Sequence, residues 1–199
     1  MNLSILILTH QRPKLFERCI NSVLPYLDDI LEVIVNNDSG DIEEITHPSI
    51  TYHYNKFESL SEIYEFLYRE SKGEYIYFLE DDDYLASGFS TIKLEGDLII
   101  GNYYPTYKPD YAFACMSSIR NGPINIKDIN PERLQLSQFI FKRDSMCDFI
   151  FPKDSNIHND ILLVQHVAAQ GIIKGINKII YYQTTDGGDN ISFTQSSFN

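Results

Sequence analysis

The hydrophobic pattern of the first ninety residues alternates between two periods. Leu3 to Leu8 is a nearly continuous apolar run, as a strand covered on both faces requires. Pro13 follows at a plausible first helical position. Leu15, Phe16, Cys19, Ile20, Val23 and Leu24 then recur at helical spacing. Ile30 to Val35 predicts a second strand, ending in the turn-forming cluster Asn36-Asn37-Asp38-Ser39-Gly40. A short helix is expected from Asp41, and a third strand over 50–54. Leu60, Ile63, Tyr64, Leu67 and Tyr68 form one helical face, stopped at Lys72-Gly73. Tyr75 to Leu79 predicts a fourth strand, and Glu80-Asp81-Asp82-Asp83 follows it directly.

The second half is less regular. Asp97 to Gly101 and Tyr111 to Met116 read as strands, with a hairpin between them as one arrangement. Leu136 to Phe141 and Ile172 to Tyr182 read as two more strands, and Asn159 to Gln170 as a helix closed by Gly171. Strand–helix alternation of this kind predicts an α/β fold with a mostly parallel central sheet, right-handed crossovers and helices on both faces. In such sheets ligands bind beyond the carboxyl ends of the strands. Three polar clusters fall there: Thr9-His10-Gln11-Arg12, Asn36-Asn37-Asp38-Ser39 and Glu80-Asp81-Asp82-Asp83.

Composition narrows this picture. The 199 residues suit one α/β domain, and 43% hydrophobic with 22% charged residues is ordinary for a globular chain. A formal net charge of −12 disfavours a polyanion such as nucleic acid as partner. Cys19, Cys115 and Cys147 form neither a zinc pattern nor a disulfide framework, so a reducing compartment is expected. No stretch approaches the roughly 20 apolar residues of a membrane span. The N-terminal run lacks a basic leader, so a cytoplasmic location is expected.

The acidic run is the main chemical signal. Four consecutive acids repel one another, and a hard divalent cation, Mg²⁺ or Mn²⁺, relieves that repulsion while bridging to substrate phosphate. A solvated acidic turn is the plain alternative, and placement straight after a buried strand favours a site.

The blocks Leu8-Thr9-His10-Gln11-Arg12-Pro13, Val33-Ile34-Val35-Asn36-Asn37-Asp38-Ser39 and Gly73-Glu74-Tyr75-Ile76-Tyr77-Phe78-Leu79-Glu80-Asp81-Asp82-Asp83 resemble, in order and spacing, the landmarks of family 2 glycosyltransferases. The resemblance covers residues 1–90 and is looser beyond. It implies a GT-A-type nucleotide-binding sandwich that moves a sugar from a nucleotide-diphosphate sugar to an acceptor hydroxyl, with inversion and with Mn²⁺ or Mg²⁺. It implies a single domain over 1–199, with 1–100 binding the donor, a UDP-sugar being the first expectation. Residues 101–199 then bind the acceptor and carry the base.

Residue by residue, the resemblance implies Asp82 as the direct metal ligand with Glu80 as its partner, and Asp81 on the ribose or in the metal shell. Thr9 and His10 line the nucleobase, and Arg12 matches a common basic position. Asn37 stands where the family usually has an Asp that reads the base edge, with Asn36 as the fallback. An amide both donates and accepts, so bases other than uracil stay open. The Gly and Arg often found before the fourth strand are absent from Phe57 to Ile63. Asp160 in His158-Asn159-Asp160 is the implied general base, although Asn159 replaces the usual first acid. Asp186 or Asp189 stands in the segment that closes over the donor, and Lys142-Arg143 is a candidate for neutralising the leaving phosphate. The acceptor stays open, from saccharide to a hydroxymethylated DNA base. Two alternatives remain. One is a nucleotidyltransferase making a nucleotide sugar, although Thr9 to Lys14 lacks the glycines of a triphosphate loop. The other is an inactive nucleotide-binding relative.

Overall fold

The computed structural model describes residues 1–106, 119–125, 135–153 and 159–184, with the side chains of 159 and 160 excluded. The expected strand over 111–116, His158, Asp186, Asp189 and Cys115 lie outside the described residues. So does the Asp160 side chain.

Nine strands form one sheet among the described residues. These are β1 (Leu3–Thr9), β2 (Glu32–Asn37), β3 (Ile50–His53), β4 (Tyr75–Glu80), β5 (Tyr84–Leu85), β6 (Leu98–Pro105), β7 (Gly122–Pro123), β8 (Phe139–Lys142) and β9 (Ile173–Gln183). Their order is β3-β2-β1-β4-β8-β6-β9-β5, with β7 also on β9. Strands β1, β2, β3 and β4 pair in parallel, as do β6 and β9. Strand β8 runs antiparallel to both β4 and β6, so β6 and β9 point the same way as the first four. The short β5 and β7 oppose β9.

Among the described residues, three helices cover the two faces. Helix α1 (Pro13–Val23) buries Phe16, Cys19, Ile20 and Val23 on the face of Ile5, Ile7, Val33, Val35 and Tyr77. Pro13 occupies its first turn, where its missing N–H costs nothing. Helices α2 (Leu60–Glu70) and α3 (Asn159–Gln170) pack Ile63, Leu67, Leu163, Val164 and Val167 against Leu6, Ile76 and Phe78 on the opposite face. Ser59 caps α2 by accepting a hydrogen bond from the Glu62 amide at 3.3 Å. No helix among the described residues is long and apolar enough to cross a membrane.

Several local expectations shift, each for a physical reason. Asn36 and Asn37 extend β2 instead of forming a turn, because β1 and β3 pair with this stretch and both residues are fully buried. Residues 41–49 form a loop, not a helix, held by the Ile45 amide donating to the Tyr52 hydroxyl and by a turn from His47 to Ile50. Helix α2 ends at Glu70 with Ser71 as its cap, before Lys72-Gly73. Residues 136–138 are a 3₁₀ turn that tucks Ser137 beneath the acidic run, so strand β8 starts only at Phe139.

Lys142 and Arg143 are misplaced for phosphate. Lys142 lies opposite Tyr75, the first residue of β4, roughly 16 Å of extended strand from Glu80. Arg143 there donates to the carbonyls of Gly73 (2.7 Å) and Tyr68 (3.3 Å) and to Ser71 Oγ (2.6 Å), and covers the Tyr68 ring. It ties the end of α2 to β4. Arg143→Ala is therefore expected to lower unfolding free energy by about 2 kcal/mol in urea denaturation. Affinity for nucleotide is expected to stay unchanged in the same protein.

Candidate active site

The pairing register brings the three polar clusters together. Thr9 lies opposite Asn37, and Leu8 lies between Asn36 and Glu80. The crevice is thus bounded by the carboxyl ends of β1, β2 and β4, where strand order reverses direction from β1.

Within the acidic run, Glu80, Asp82 and Asp83 each offer a carboxylate oxygen, all within 4.8 Å of one another. Asp81 accepts a hydrogen bond from Arg12 Nη1 at 3.1 Å, while the same nitrogen lies 3.9 Å from Asp82 Oδ2. The run is buried: Asp81 is 5%, Asp82 9% and Asp83 1% exposed. Burial pushes Asp81 up to about 6, against the opposing Arg12 guanidinium and the Thr9 hydroxyl. Burial also raises Asp82, opposed by Arg12 and Arg18. Asp83 is raised too, through burial first and then the carboxylates of Glu80 and Asp82.

Supports for the run come from distant segments. Arg18, one turn and a half beyond Arg12 on α1, donates to the Asp82 carbonyl at 2.7 Å and to Thr184 Oγ1. Thr184, just past β9, donates its amide to Asp83 Oδ1 at 3.2 Å and its hydroxyl to the Asp82 carbonyl at 2.5 Å. The Glu80 amide donates to Ser137 Oγ at 3.2 Å, and the Cys19 thiol donates to the Glu80 carbonyl at 3.6 Å. Burial and the neighbouring carboxylates push that thiol up, so it packs as a neutral group.

On the β1–β2 side, Asn37 Oδ1 accepts from the Ser39 amide at 3.1 Å and from Ser39 Oγ at 2.7 Å. A backbone N–H only donates, so this fixes the amide orientation. Asn37 Nδ2 and Thr9 Oγ1 are both buried without a hydrogen-bond partner of normal geometry. Two neighbouring buried polar atoms left unmatched are costly unless a ligand supplies partners. Asn36, by contrast, spends its amide on the backbone of Asn55, at 3.0 and 3.3 Å. His10 is largely exposed and pairs through Nδ1 with Asp38 at 2.5 Å. Gln11 adopts φ 52°, which turns its amide onto Ser39 Oγ at 3.0 Å.

The site thus joins Thr9, Arg12, Asn37, Glu80, Asp81 and Asp82, with His10 at its rim. Asp83, Arg18, Ser137 and Thr184 were not singled out from the sequence. Asp83 was legible as the run's fourth acid, whereas Arg18 and Thr184 become neighbours only through the fold. Asp160 lies in the first turn of α3. Two residues separate α3 from β9.

The converging carboxylates of Glu80, Asp82 and Asp83 fit a hard divalent cation, which would replace the protons that burial favours on Asp82 and Asp83. Without metal, folding keeps Asp81 protonated over roughly pH 4–6, where the unfolded chain has lost that proton. The unfolded state binds fewer protons there, so stability falls as pH rises through that window. In EDTA the melting temperature is expected to drop between pH 4 and pH 7, and Mn²⁺ is expected to restore more of it at pH 7.5 than at pH 5.

The sequence matches no protein-family model and none of the curated proteins. The fold is shared with solved structures of Staphylococcus aureus TarS. With residues 1–349 of that protein the TM-score is 0.72 at 16% identity, covering 92% of this chain and 60% of that one. The UDP-GlcNAc complex of TarS 1–349 matches at TM-score 0.68 and 15% identity, over 96% and 61% of the two chains. Its UDP complex matches at 0.64 and 15%, over 93% and 61%. This chain therefore spans about 60% of the length of the TarS fragment it resembles. At this identity the likeness establishes the GT-A-type α/β sandwich.

Proposed function

We propose that this protein is a metal-dependent, inverting glycosyltransferase acting on a nucleotide-diphosphate sugar. The observation that carries the reading is the convergence of the Glu80, Asp82 and Asp83 carboxylates at the end of β4, between the strand ends bearing Thr9 and Asn37 and the Thr184 end of β9. Support comes from the fold shared with TarS, whose solved forms include complexes with UDP-GlcNAc and UDP. That makes a UDP-sugar the first donor to test.

In this reading Asp82, with Glu80 and Asp83 around it, holds Mn²⁺ or Mg²⁺. The ion would withdraw charge from the diphosphate as it departs. Arg12, on the Asp81–Asp82 side, adds a fixed positive charge near the same oxygens and keeps Asp81 oriented. The nucleoside lies towards Thr9 and Asn37, whose unmatched hydroxyl and amide face a hydrogen-bonding edge; His10 flanks it. The acceptor oxygen bonds to the anomeric carbon as that carbon's bond to the diphosphate oxygen breaks, and the acceptor proton passes to the Asp160 carboxylate. A cytoplasmic location goes with this reading.

Mass-spectrometric detection of UDP release from UDP-GlcNAc and related nucleotide sugars, with Mn²⁺, tests the reading. Release that stops on chelation is expected; intact donors across the set, with no nucleotide binding, would contradict it. Asp82→Asn is expected to weaken Mn²⁺-dependent UDP binding by about 100-fold or more in calorimetry, since a metal-bridged contact is lost. Asp160→Ala is expected to lower turnover by roughly 10²- to 10⁴-fold with UDP affinity unchanged. Equal turnover in that variant would remove Asp160 as the base.

A further inference from the structure

The far side of the acidic run carries a feature that the donor reading does not use. Tyr84 follows Asp83 directly and lies opposite Tyr182 on β9, which lies opposite Tyr104 on β6. Residues directly opposite share a sheet face, so these three tyrosines form one cross-strand row. The next row, Leu85, Tyr181 and Tyr103, is buried in the core on the other face. The Tyr84, Tyr182 and Tyr104 side chains are only partly covered. Tyr84 and Tyr182 stack with centroids 4.9 Å apart at 20°, and Tyr104 meets Tyr182 edge-on at 6.0 Å.

Arg18 links the row to the acidic run. The Arg18 guanidinium lies 5.4 Å from the centre of the Tyr84 ring and donates to the Asp82 carbonyl and to Thr184. Sheet order puts the row and the unmatched Thr9 and Asn37 atoms on opposite sides of β4. A donor held by its diphosphate at the acids, nucleoside towards β1 and β2, therefore turns its sugar towards the tyrosines.

We propose that Tyr84, Tyr182 and Tyr104 form the wall of the acceptor subsite, and that the acceptor placed there is a saccharide. This rests on the transferase reading above. Each tyrosine offers an apolar ring with a polar tip, which matches the C–H faces and hydroxyl rim of a sugar ring. The net charge of −12 and the adjoining acids repel a polyanionic acceptor such as DNA.

The test uses the whole chain with ¹³C-labelled tyrosine rings, titrated with methyl glycosides of the common hexoses and pentoses. The resonances of Tyr84, Tyr104 and Tyr182, assigned through single Tyr→Phe variants, are expected to shift, while those of buried Tyr103 and Tyr181 stay put. With UDP-GlcNAc and Mn²⁺, Tyr182→Ala is expected to lower kcat/KM for transfer to the responding glycoside by about tenfold or more. Hydrolysis of the donor by water and UDP affinity are expected to change less than about twofold. Tyr182→Phe, which keeps the ring, loses less than Tyr182→Ala. Absence of shifts with every glycoside, or transfer unaffected in Tyr182→Ala, overturns the proposal. A loss of UDP affinity in a variant that melts like the parent assigns the row to the nucleotide and also overturns it. If the parent binds no nucleotide at all, the transferase reading fails, and the glycoside-induced shifts alone decide whether the row is a saccharide site.

Discussion

The structure is organised around the burial of three consecutive acids, Asp81, Asp82 and Asp83, behind a hydrophobic strand that ends in the half-buried Glu80. A carboxylate removed from water loses hydration that neighbouring dipoles and charges must replace. Here the replacements come from every direction. Arg12 and Arg18 reach over from α1, Ser137 rises from the turn before β8, and Thr184 closes from the end of β9. Even so, the carboxyls of Asp81, Asp82 and Asp83 keep raised pKa values. The scaffold therefore compensates these carboxylates only in part, which favours a bound proton or a cation over the bare charge.

This requirement explains features that otherwise look incidental. Helix α1 begins within a few residues of β1, with Pro13 fixing its first turn, and that start sets Arg12 and Arg18 along the acids. Ser137 interrupts what would be a longer β8, because its hydroxyl is needed beneath Glu80. Arg143, which looks like a phosphate ligand in sequence, serves the opposite end of the sheet as a clamp on α2.

Much of this was legible in the sequence where burial is symmetric. β1, β2 and β4 are covered on both faces, so they read as continuous apolar runs, and α1 and α2 read from their helical stripes. The location of the site followed from polar clusters at the ends of those runs. Composition misled where pairing partners overrode it: Asn36 and Asn37 look like a turn, but Asn36 is held in β2 by strands on both sides and Asn37 by β1. The helix expected from Asp41 failed because the loop is fixed from outside by Tyr52. Arg18 and Thr184 lie 166 positions apart and meet only because β9 returns beside β5. No periodicity reports such a contact. The tyrosine row is hidden for the same reason, since three separate strands each supply one ring.

The proposed chemistry requires the acids to hold a cation against a diphosphate. The most direct measurement is a crystal soaked with UDP and Mn²⁺ and measured at the manganese absorption edge. An anomalous peak is expected between the Glu80, Asp82 and Asp83 carboxylates and the diphosphate oxygens, with Arg12 still on Asp81. Diphosphate bound with no peak at those carboxylates, or a peak at a different cluster, would contradict a metal-bridged donor site.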